Sequence, residues 1–393
     1  MATKLNARSP YYLTFTDISL DSVTVSLFIY KGEFGTDKPS TPQFRLNKTI
    51  LGGTGGTILV EIGELIRDFI DINFNQEFTE DLYEQRVIND YGTFEGSSCL
   101  SAILNTLDDD YRSEVVWVEA DCSLLSPAAG IRSEYFDFIA FDGYSYFTDG
   151  ANAELSRTLL QSNKTIYSKS GEVLRVPVFT EEVTSVQFYN NGVLQATQNI
   201  TSSTNSSGQI KYASTTLDVD EIRVISSSGT ETIKSYQTEE CGLTPTYQSP
   251  RSGVYTPQKV TFINKFGVFQ DMWFFTKSVE SIQTKSKEYK SNVINQITGE
   301  YDIQTHQYRQ FHKQGRESIT MNTGYISEEY NDVIKQIMLS DQVWMTKTIN
   351  SEKIVIPITP KTESLTYKTR VNDKLINYSI AFDSAFDEIN NIR

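Results

Sequence analysis

The residues best suited to chemistry are two histidines, a run of aspartates and a glycine-rich segment. His306 and His312 are six residues apart, so a β-strand would place both on one face, where a carboxylate could complete a metal site. The aspartates at 108–110 could attract a hard cation, but they lack the alternating ligands and central glycine of an EF-hand loop. The segment 51–57 contains no Gly-Lys-Ser/Thr phosphate-binding sequence. We interpret these features as polar strand residues, a solvated turn and a hairpin loop.

Nucleophilic catalysis has no support in the sequence. No serine lies in a Gly-x-Ser-x-Gly motif, and none of Cys99, Cys122 and Cys241 belongs to a Cys-x-x-Cys pair. A disulfide between Cys99 and Cys122 is an alternative, but reduced structural thiols are favoured. Glycoside hydrolysis needs two carboxylates at a set distance. With 50 acidic residues some pair always meets that distance, so their number is no evidence for such an activity. We therefore predict no enzyme activity, no cofactor and no metal site.

The composition predicts a large, acidic chain that is rich in sheet. Its 393 residues suffice for several domains, and 22 tyrosines with 22 phenylalanines favour pleated surfaces. The formal charge of −15 disfavours nucleic-acid binding, because phosphates repel an acidic surface. The N-terminal sequence lacks the apolar region of a secretion signal, and no run reaches the length of a membrane span. We expect synthesis in a cytoplasm and no membrane insertion.

Two predicted domains fill the first part of the chain. Residues 1–178 have the alternation of a β-sandwich, with a short helix near 61–70 where apolar residues recur at helical spacing. Residues 179–242 contain short strands between Asn, Gly and Ser turns, including a hairpin turn at 190–192. This second pattern is typical of an immunoglobulin-like sandwich.

The third predicted domain follows a proline-containing linker at 243–250. Residues 243–393 have the pattern of a sheet with one helix near 327–340, for which Ser327 is a suitable N-cap. The predicted fold class is therefore mainly β with minor α. The architecture is multi-domain β-sandwich, including an immunoglobulin-like middle domain and a C-terminal sheet with one helix.

The end of the chain predicts a two-faced β-hairpin. Apolar and polar side chains alternate at 365–371 and again at 376–386, on either side of an Asn-Asp turn at 372–373. One face of such a hairpin is apolar and could be buried against a neighbouring subunit. We therefore predict an assembly interface that contains Tyr367, Ile376, Tyr378, Ile380, Phe382 and Phe386.

Both ends of the chain resemble tail-associated structural proteins of tailed bacteriophages, especially those that infect Bacteroidota. The N-terminal resemblance lies in SPYYLTFTD, VTVSLFIYKG, TPQFRLNK and ILVEIGELIRDFI, in that order. The C-terminal resemblance lies in KVTFINKFGVFQDMWFF and in YKTRVNDKLINYSIAFDSAFDEINNIR. Together these segments cover about half of the chain. They are patterns of an architecture, and they bring no active-site residues with them.

The resemblance implies a structural virion protein of a phage tail, located in the baseplate, the tail tip or an adaptor. Its expected partners are copies of itself in a ring and other tail or baseplate proteins. A neck or collar connector is an alternative position. A receptor- or carbohydrate-binding adhesin is an alternative function, indicated by the Tyr/Phe cluster at 135–147, which would contact a host glycan or receptor. A polysaccharide-degrading enzyme has no positive feature in the sequence.

Overall fold

The computed structural model describes residues 3–31, 34–50, 55–70, 72–74, 104–107, 111–113, 115–127, 130–155, 157–180, 183–200, 210–237, 255–295, 297–301, 303–349, 352–362 and 375–389. These residues are mostly β, which confirms the predicted fold class. By contact the chain forms two compact units. The first contains 1–238, 261–272 and 329–341, and the second contains 239–260, 273–328 and 342–393. None of the described helices is long and apolar enough to cross a bilayer.

The secondary structure is numbered in chain order. Up to residue 237 the strands are β1 (Thr3–Asn6), β2 (Tyr12–Asp17), β3 (Ser22–Tyr30), β4 (Phe44–Thr49), β5 (Gly56–Glu61), β6 (Ile72–Phe74), β7 (Leu104–Leu107), β8 (Tyr111–Ser113), β9 (Val115–Ser126), β10 (Gly130–Phe141), β11 (Thr165–Ser168), β12 (Leu174–Phe179), β13 (Val183–Asn190), β14 (Val193–Asn199), β15 (Ile210–Thr215), β16 (Glu221–Ser226) and β17 (Gly229–Gln237). Helix α1 is Gly63–Arg67, and a 3-10 turn covers Phe147–Asp149.

The remaining strands are β18 (Gln258–Ile263), β19 (Phe269–Phe274), β20 (Val279–Lys290), β21 (Tyr308–Asn322), β22 (Ile326–Ser327), β23 (Val343–Ile349), β24 (Glu352–Pro360), β25 (Leu375–Ile376) and β26 (Ser379–Ser384). Helix α2 is Tyr330–Leu339.

The first sandwich of the first unit packs a five-stranded sheet against a two-stranded one. The large sheet has the order β1-β10-β9-β3-β4, and β2 pairs with β5. Alternate residues of these strands form one core, for example Val25 and Val118 from the large sheet and Phe15 from β2. Ile66 of α1 is fully buried in the same core, so the predicted helix near 61–70 is confirmed, although it is only five residues long.

The second sandwich begins earlier than the sequence predicted. Its two sheets have the orders β11-β17-β16-β13-β14 and β12-β15-β7, and they share one core. Strand β11 precedes residue 179 and β12 ends at it, and Leu159 also lies in this core. The boundary at 178 therefore cuts through a folded sandwich, because a local pattern of strands does not reveal which earlier strands complete the sheets.

Helix α2 belongs by contact to the first unit, whereas the sequence placed it on the C-terminal sheet. Its buried apolar residues are Tyr330, Val333, Ile334 and Ile337, and Gln336 between them is fully buried too. The amide oxygen of Gln336 accepts hydrogen bonds from Ser162 Oγ at 2.7 Å and from the Lys265 backbone N–H at 3.0 Å. The Tyr330 hydroxyl accepts one from the Tyr167 backbone N–H at 3.0 Å. These polar contacts require partners from distant parts of the chain.

The predicted cap of α2 is wrong. Ser327 is the second residue of β22, where it pairs with Leu375, and Glu329 occupies the N-cap position without a side-chain cap hydrogen bond. A serine hydroxyl is a good cap in local terms. The backbone of Ser327 pairs with β25 instead, so the helix begins after it.

The second unit is built on a sheet in which β23, β24, β26, β21 and β20 are neighbours in that order. Residues 318–322 of β21 pair with 379–383 of β26, and 358–360 of β24 pair with 382–384 on its other edge. The second arm of the predicted terminal hairpin is thus a strand between two earlier strands. The first arm, 365–371, lies outside the described residues.

One hairpin turn of the second sandwich has a left-handed backbone that depends on its residue types. Asn191 and Gly192 connect β13 to β14 with φ values of 49° and 75°, which is the backbone of a type I′ turn. A Cβ at Gly192 would meet nothing within 4 Å, so a substitution there changes backbone strain alone.

We therefore expect Gly192→Ala to lower the free energy of unfolding by about 1 kcal/mol, because a left-handed backbone strains any residue that has a Cβ. Asn191→Gly is the matched control and should be close to neutral, since glycine tolerates the same backbone. Urea unfolding of both variants measures the difference. Equal midpoints for both variants would contradict the assignment of the turn.

Candidate interaction site

Among the described residues of the second unit, the most exposed element is a two-stranded β-ribbon, defined here as β20, β21 and the connecting residues 291–307. Every residue of β20 is exposed. Residues 279–290 of β20 pair with 308–320 of β21, so at about 3.4 Å per residue the paired ribbon is roughly 40 Å long. Beyond the inner residues 318–322, β21 has no strand partner other than β20 among the described residues.

The root of the ribbon is fixed by Asp383 on β26. Its carboxylate accepts hydrogen bonds from Ser318 Oγ of β21 and from Lys361 Nζ, the latter at 3.1 Å. Arg316 Nη1 lies 3.9 Å from the same carboxylate, and its Nε donates to the Ser384 carbonyl at 2.6 Å. Burial raises the pKa of Asp383, but these hydrogen bonds and positive charges outweigh it and lower the pKa below its usual value.

The sheet also curves around its core at the root of the ribbon. Lys347 Nζ on β23 donates to Glu280 Oε1 on β20 at 2.7 Å, although three strands separate β23 from β20 in the sheet. Flat neighbouring strands are about 4.8 Å apart, so this contact requires a strongly curved sheet. The ribbon therefore begins at a curved part of the sheet.

The far end of the ribbon exposes large apolar side chains. Ile297 is 95% exposed and Ile303 is 94% exposed. Tyr301 is also exposed, and it bridges to Ile294 across the end of the ribbon. Large apolar residues that are this close together and this exposed are characteristic of a surface that another molecule covers. We call the residues Ile294, Ile297, Tyr301 and Ile303 the ribbon tip.

The two faces of the ribbon differ in charge. In the pairing register, Lys285 and Lys287 lie on the same face as Arg309, His312 and Arg316, and no aspartate or glutamate lies among the paired residues of that face. We call this the basic face.

The opposite face is mixed in charge. It contains Glu280, Glu288 and Glu317 together with Lys290 and Lys313. The difference follows from strand geometry, because alternate residues point to opposite sides of the pleat. At the root, this mixed face continues into the core side of the sheet through Ile319, which is buried.

An aromatic pair lies at the outer end of the ribbon. The register shifts between Lys287 and Glu288, leaving Phe311 unpaired as a β-bulge. The Phe311 ring lies 6.2 Å from the ring of Tyr289, which is on the basic face. Both side chains are exposed. The basic face thus combines cations with an aromatic surface.

The predicted interface residues on the last strands are mostly in the core. Four of them, Ile376, Tyr378, Ile380 and Phe382, are buried within the chain itself, and the Phe382 ring contacts Phe274 at 6.1 Å. These four are therefore corrected from interface to core residues. Their alternating pattern is that of a strand with one buried face, and the sequence does not say whether its own chain or a neighbour covers that face.

The two remaining interface residues have different outcomes. Phe386, just beyond β26, is about half exposed and remains available to a partner. Tyr367 lies outside the described residues. The ribbon itself was not predicted, although its sequence holds two long runs without proline, separated by isolated Ile and Tyr residues in a polar segment.

The residues considered for chemistry do not come together. His306 precedes β21 and His312 lies within it, so the two do not share a strand face. In the described part of the chain, no group of three or more His, Cys, Asp or Glu side chains could hold a metal ion. The aspartates at 108–110 and most of 51–57 lie outside the described residues.

Cys122 is a free, buried thiol on the inner face of β9. Burial and the nearby charges of Glu134 and Asp121 raise its pKa to about 12, so the thiol is protonated at neutral pH. Cys99, its alternative disulfide partner, lies outside the described residues.

The aromatic cluster at 135–147 is partly engaged in internal hydrogen bonds. The Tyr135 hydroxyl donates to Glu119 at 2.7 Å, and the Tyr146 hydroxyl donates to Asp332 of α2 at 2.6 Å. Phe147 in the 3-10 turn is fully exposed.

Comparison with known proteins identifies no family. No protein-family model and no curated protein matches this chain. The periplasmic chaperone SfaE is 9% identical with a TM-score of 0.18, over 60% of this chain and 97% of the chaperone. Trypsin-activated alpha-2-macroglobulin from Escherichia coli is 8% identical with a TM-score of 0.19, over 97% of this chain and 21% of that protein.

A third solved structure is SGBP-B of the Bacteroides ovatus mixed-linkage glucan utilization locus, in complex with a mixed-linkage heptasaccharide. It is 8% identical with a TM-score of 0.18, over 98% of this chain and 95% of that one. Likenesses with such low TM-scores carry no argument about function.

The lowered pKa of Asp383 makes a prediction about pH. A carboxylate whose pKa is lower in the folded state stabilises that state above the unfolded pKa, and this contribution is lost as the pH falls through the folded pKa. We therefore expect Asp383→Asn to be less stable than the wild type at neutral pH, and the difference to vanish in strong acid.

Urea unfolding from neutral pH down to about pH 2 measures this difference. Asp387→Asn is the matched control, because Asp387 is an exposed carboxylate just beyond the same strand. A loss of stability in Asp383→Asn that stays constant across the whole pH range would contradict the role of the charge.

Proposed function

We propose that this chain is a structural subunit of a bacteriophage tail, and that it joins neighbouring subunits through the ribbon. The observation that carries this proposal is a ribbon, roughly 40 Å long, that pairs with β26 at its root and has an apolar, exposed tip. The resemblance of both ends of the chain to tail-associated proteins supports the position in a tail. A neck or collar location fits the same argument.

The ribbon tip favours a protein partner over a small-molecule ligand. Burying apolar surface stabilises a complex by about 25 cal/mol per Å² before the costs of association. The side chains of the ribbon tip lie in the segment that connects β20 to β21, and all four are exposed. A protein surface covers such an arrangement better than a small ligand does.

The edge of the ribbon is protected against uncontrolled association. Strand β20 is the last strand of its sheet, so its outer backbone groups face solvent. It has no proline, but it carries Lys285, Lys287 and Lys290, and lysines on an edge strand discourage pairing with other chains. We infer that the ribbon binds through side chains and that its edge does not add strands from other proteins.

The rest of the chain serves as a carrier for this arm. Two sandwiches with separate cores form the first unit, and a curved sheet holds the ribbon in the second. Such modules supply rigid outer surfaces, which suits a repeated virion component. In this proposal the chain has no enzyme activity of its own.

The proposal predicts that the ribbon tip is needed for incorporation into particles. The double substitution Ile297→Asp and Ile303→Asp places two charges where the partner's apolar surface would be, without touching the core. We expect purified virions from a phage that encodes only this variant to lack the protein. Quantitative mass spectrometry of the particles measures incorporation.

The matched control is Ile18→Asp in the first unit, because Ile18 is 96% exposed and lies on a different part of the surface. This control should be incorporated normally. Normal incorporation of the double variant would overturn the role of the ribbon, and absence of the wild-type chain from virions would overturn the tail proposal itself.

A further inference from the structure

The ribbon and the rest of the chain differ in charge. The ribbon and its root, residues 279–322, carry six Lys/Arg and five Asp/Glu residues, whereas the whole chain has a formal charge of −15. The ribbon is therefore close to neutral overall, and the rest of the chain holds all of the negative excess. A surface with this imbalance attracts cations and basic protein surfaces.

The cations of the ribbon are concentrated on the basic face. Towards the tip, this face presents Lys285, Lys287 and Arg309, all exposed, beside the exposed Tyr289–Phe311 pair. Arg316 on the same face is held at the root by Asp383 and Ser384. The outer part of the basic face thus offers positive charge and aromatic area together, which favours an acidic partner surface.

We propose that the basic face binds the acidic surface of a second copy of this chain, so that each ribbon joins its own subunit to the next. The second copy is a fitting partner because the whole negative excess of its charge lies outside residues 279–322. Because like charges repel, the basic face meets a different surface of its neighbour and not another basic face. Such head-to-tail contacts generate rings when the rotation between subunits closes.

This inference rests on the proposed function and adds the partner and the surface to it. Nucleic acid is the competing ligand for a basic and aromatic face. The outer part of the basic face presents three exposed Lys/Arg side chains, which neutralise few of the closely spaced phosphates of a nucleic acid. Binding of DNA is therefore an outcome of the test that would count against the proposal.

The test compares two charge reversals of equal size in the full-length protein. Lys285→Glu with Lys287→Glu alters the basic face, and Lys290→Glu with Lys313→Glu makes the same charge change on the opposite face. Sedimentation velocity and light scattering over a concentration series measure self-association. We expect the first variant to self-associate at least about tenfold more weakly than the second.

Salt dependence provides an independent measurement. Raising the salt concentration from about 0.05 to about 0.5 M should weaken self-association of the wild type, because exposed charges are screened over a shorter distance. The basic-face variant should show a smaller salt effect. Circular dichroism and urea unfolding establish that both variants are folded, and this is expected because all four lysines are exposed.

Each alternative result has a definite meaning. Equal self-association of the two variants, or a wild type that remains monomeric at low salt and high concentration, would overturn the proposal. Face-specific binding of a labelled DNA oligonucleotide to the monomer would overturn it in favour of nucleic acid. Self-association lost by Ile297→Asp with Ile303→Asp but kept by the basic-face variant would overturn only this inference, leaving the tail proposal in place.

Discussion

The pairing of β26 with the inner part of β21 is the interaction on which the exposed ribbon depends. Strand β21 is 15 residues long, but only residues 318–322 pair with β26. The inner residues are fixed in a core sheet, while the outer residues extend beyond it with β20 as their strand partner. An isolated two-stranded hairpin is at best marginally stable in water, so this ribbon needs a supported root.

Polar contacts at the root hold the strands that lead to the apolar ribbon tip. Asp383 connects β26 to Ser318, Lys361 and Arg316, so charged groups hold the strand that carries the ribbon. Individual exposed ion pairs contribute little, but here they act together with strand pairing and the buried side chains of β26. Large apolar residues thus lie at both ends of this structure, buried in the core around β26 and exposed at the ribbon tip.

In the first unit, the position of α2 depends on hydrogen-bond partners for a buried polar side chain. Gln336 of α2 is fully buried, and its amide is satisfied by Ser162, Lys265 and Asp332, which are far from one another in sequence. An unpaired amide in that position would cost about 1–3 kcal/mol. The helix therefore has a specific location in the unit, which its amphipathic pattern alone does not define.

The sequence by itself determined the β class, the two helices, the hairpin turn at Asn191 and Gly192 and the buried alternation at 376–382. These features depend on neighbouring residues through propensity and periodicity. Tertiary structure alone decided that α2 belongs to the first unit, that β11 and β12 complete the second sandwich, and that the last strand is core. It also decided that β20 and β21 leave the sheet as a ribbon. Strand partners and burial depend on residues far away in the chain, and the local pattern of one strand is the same whichever surface covers it.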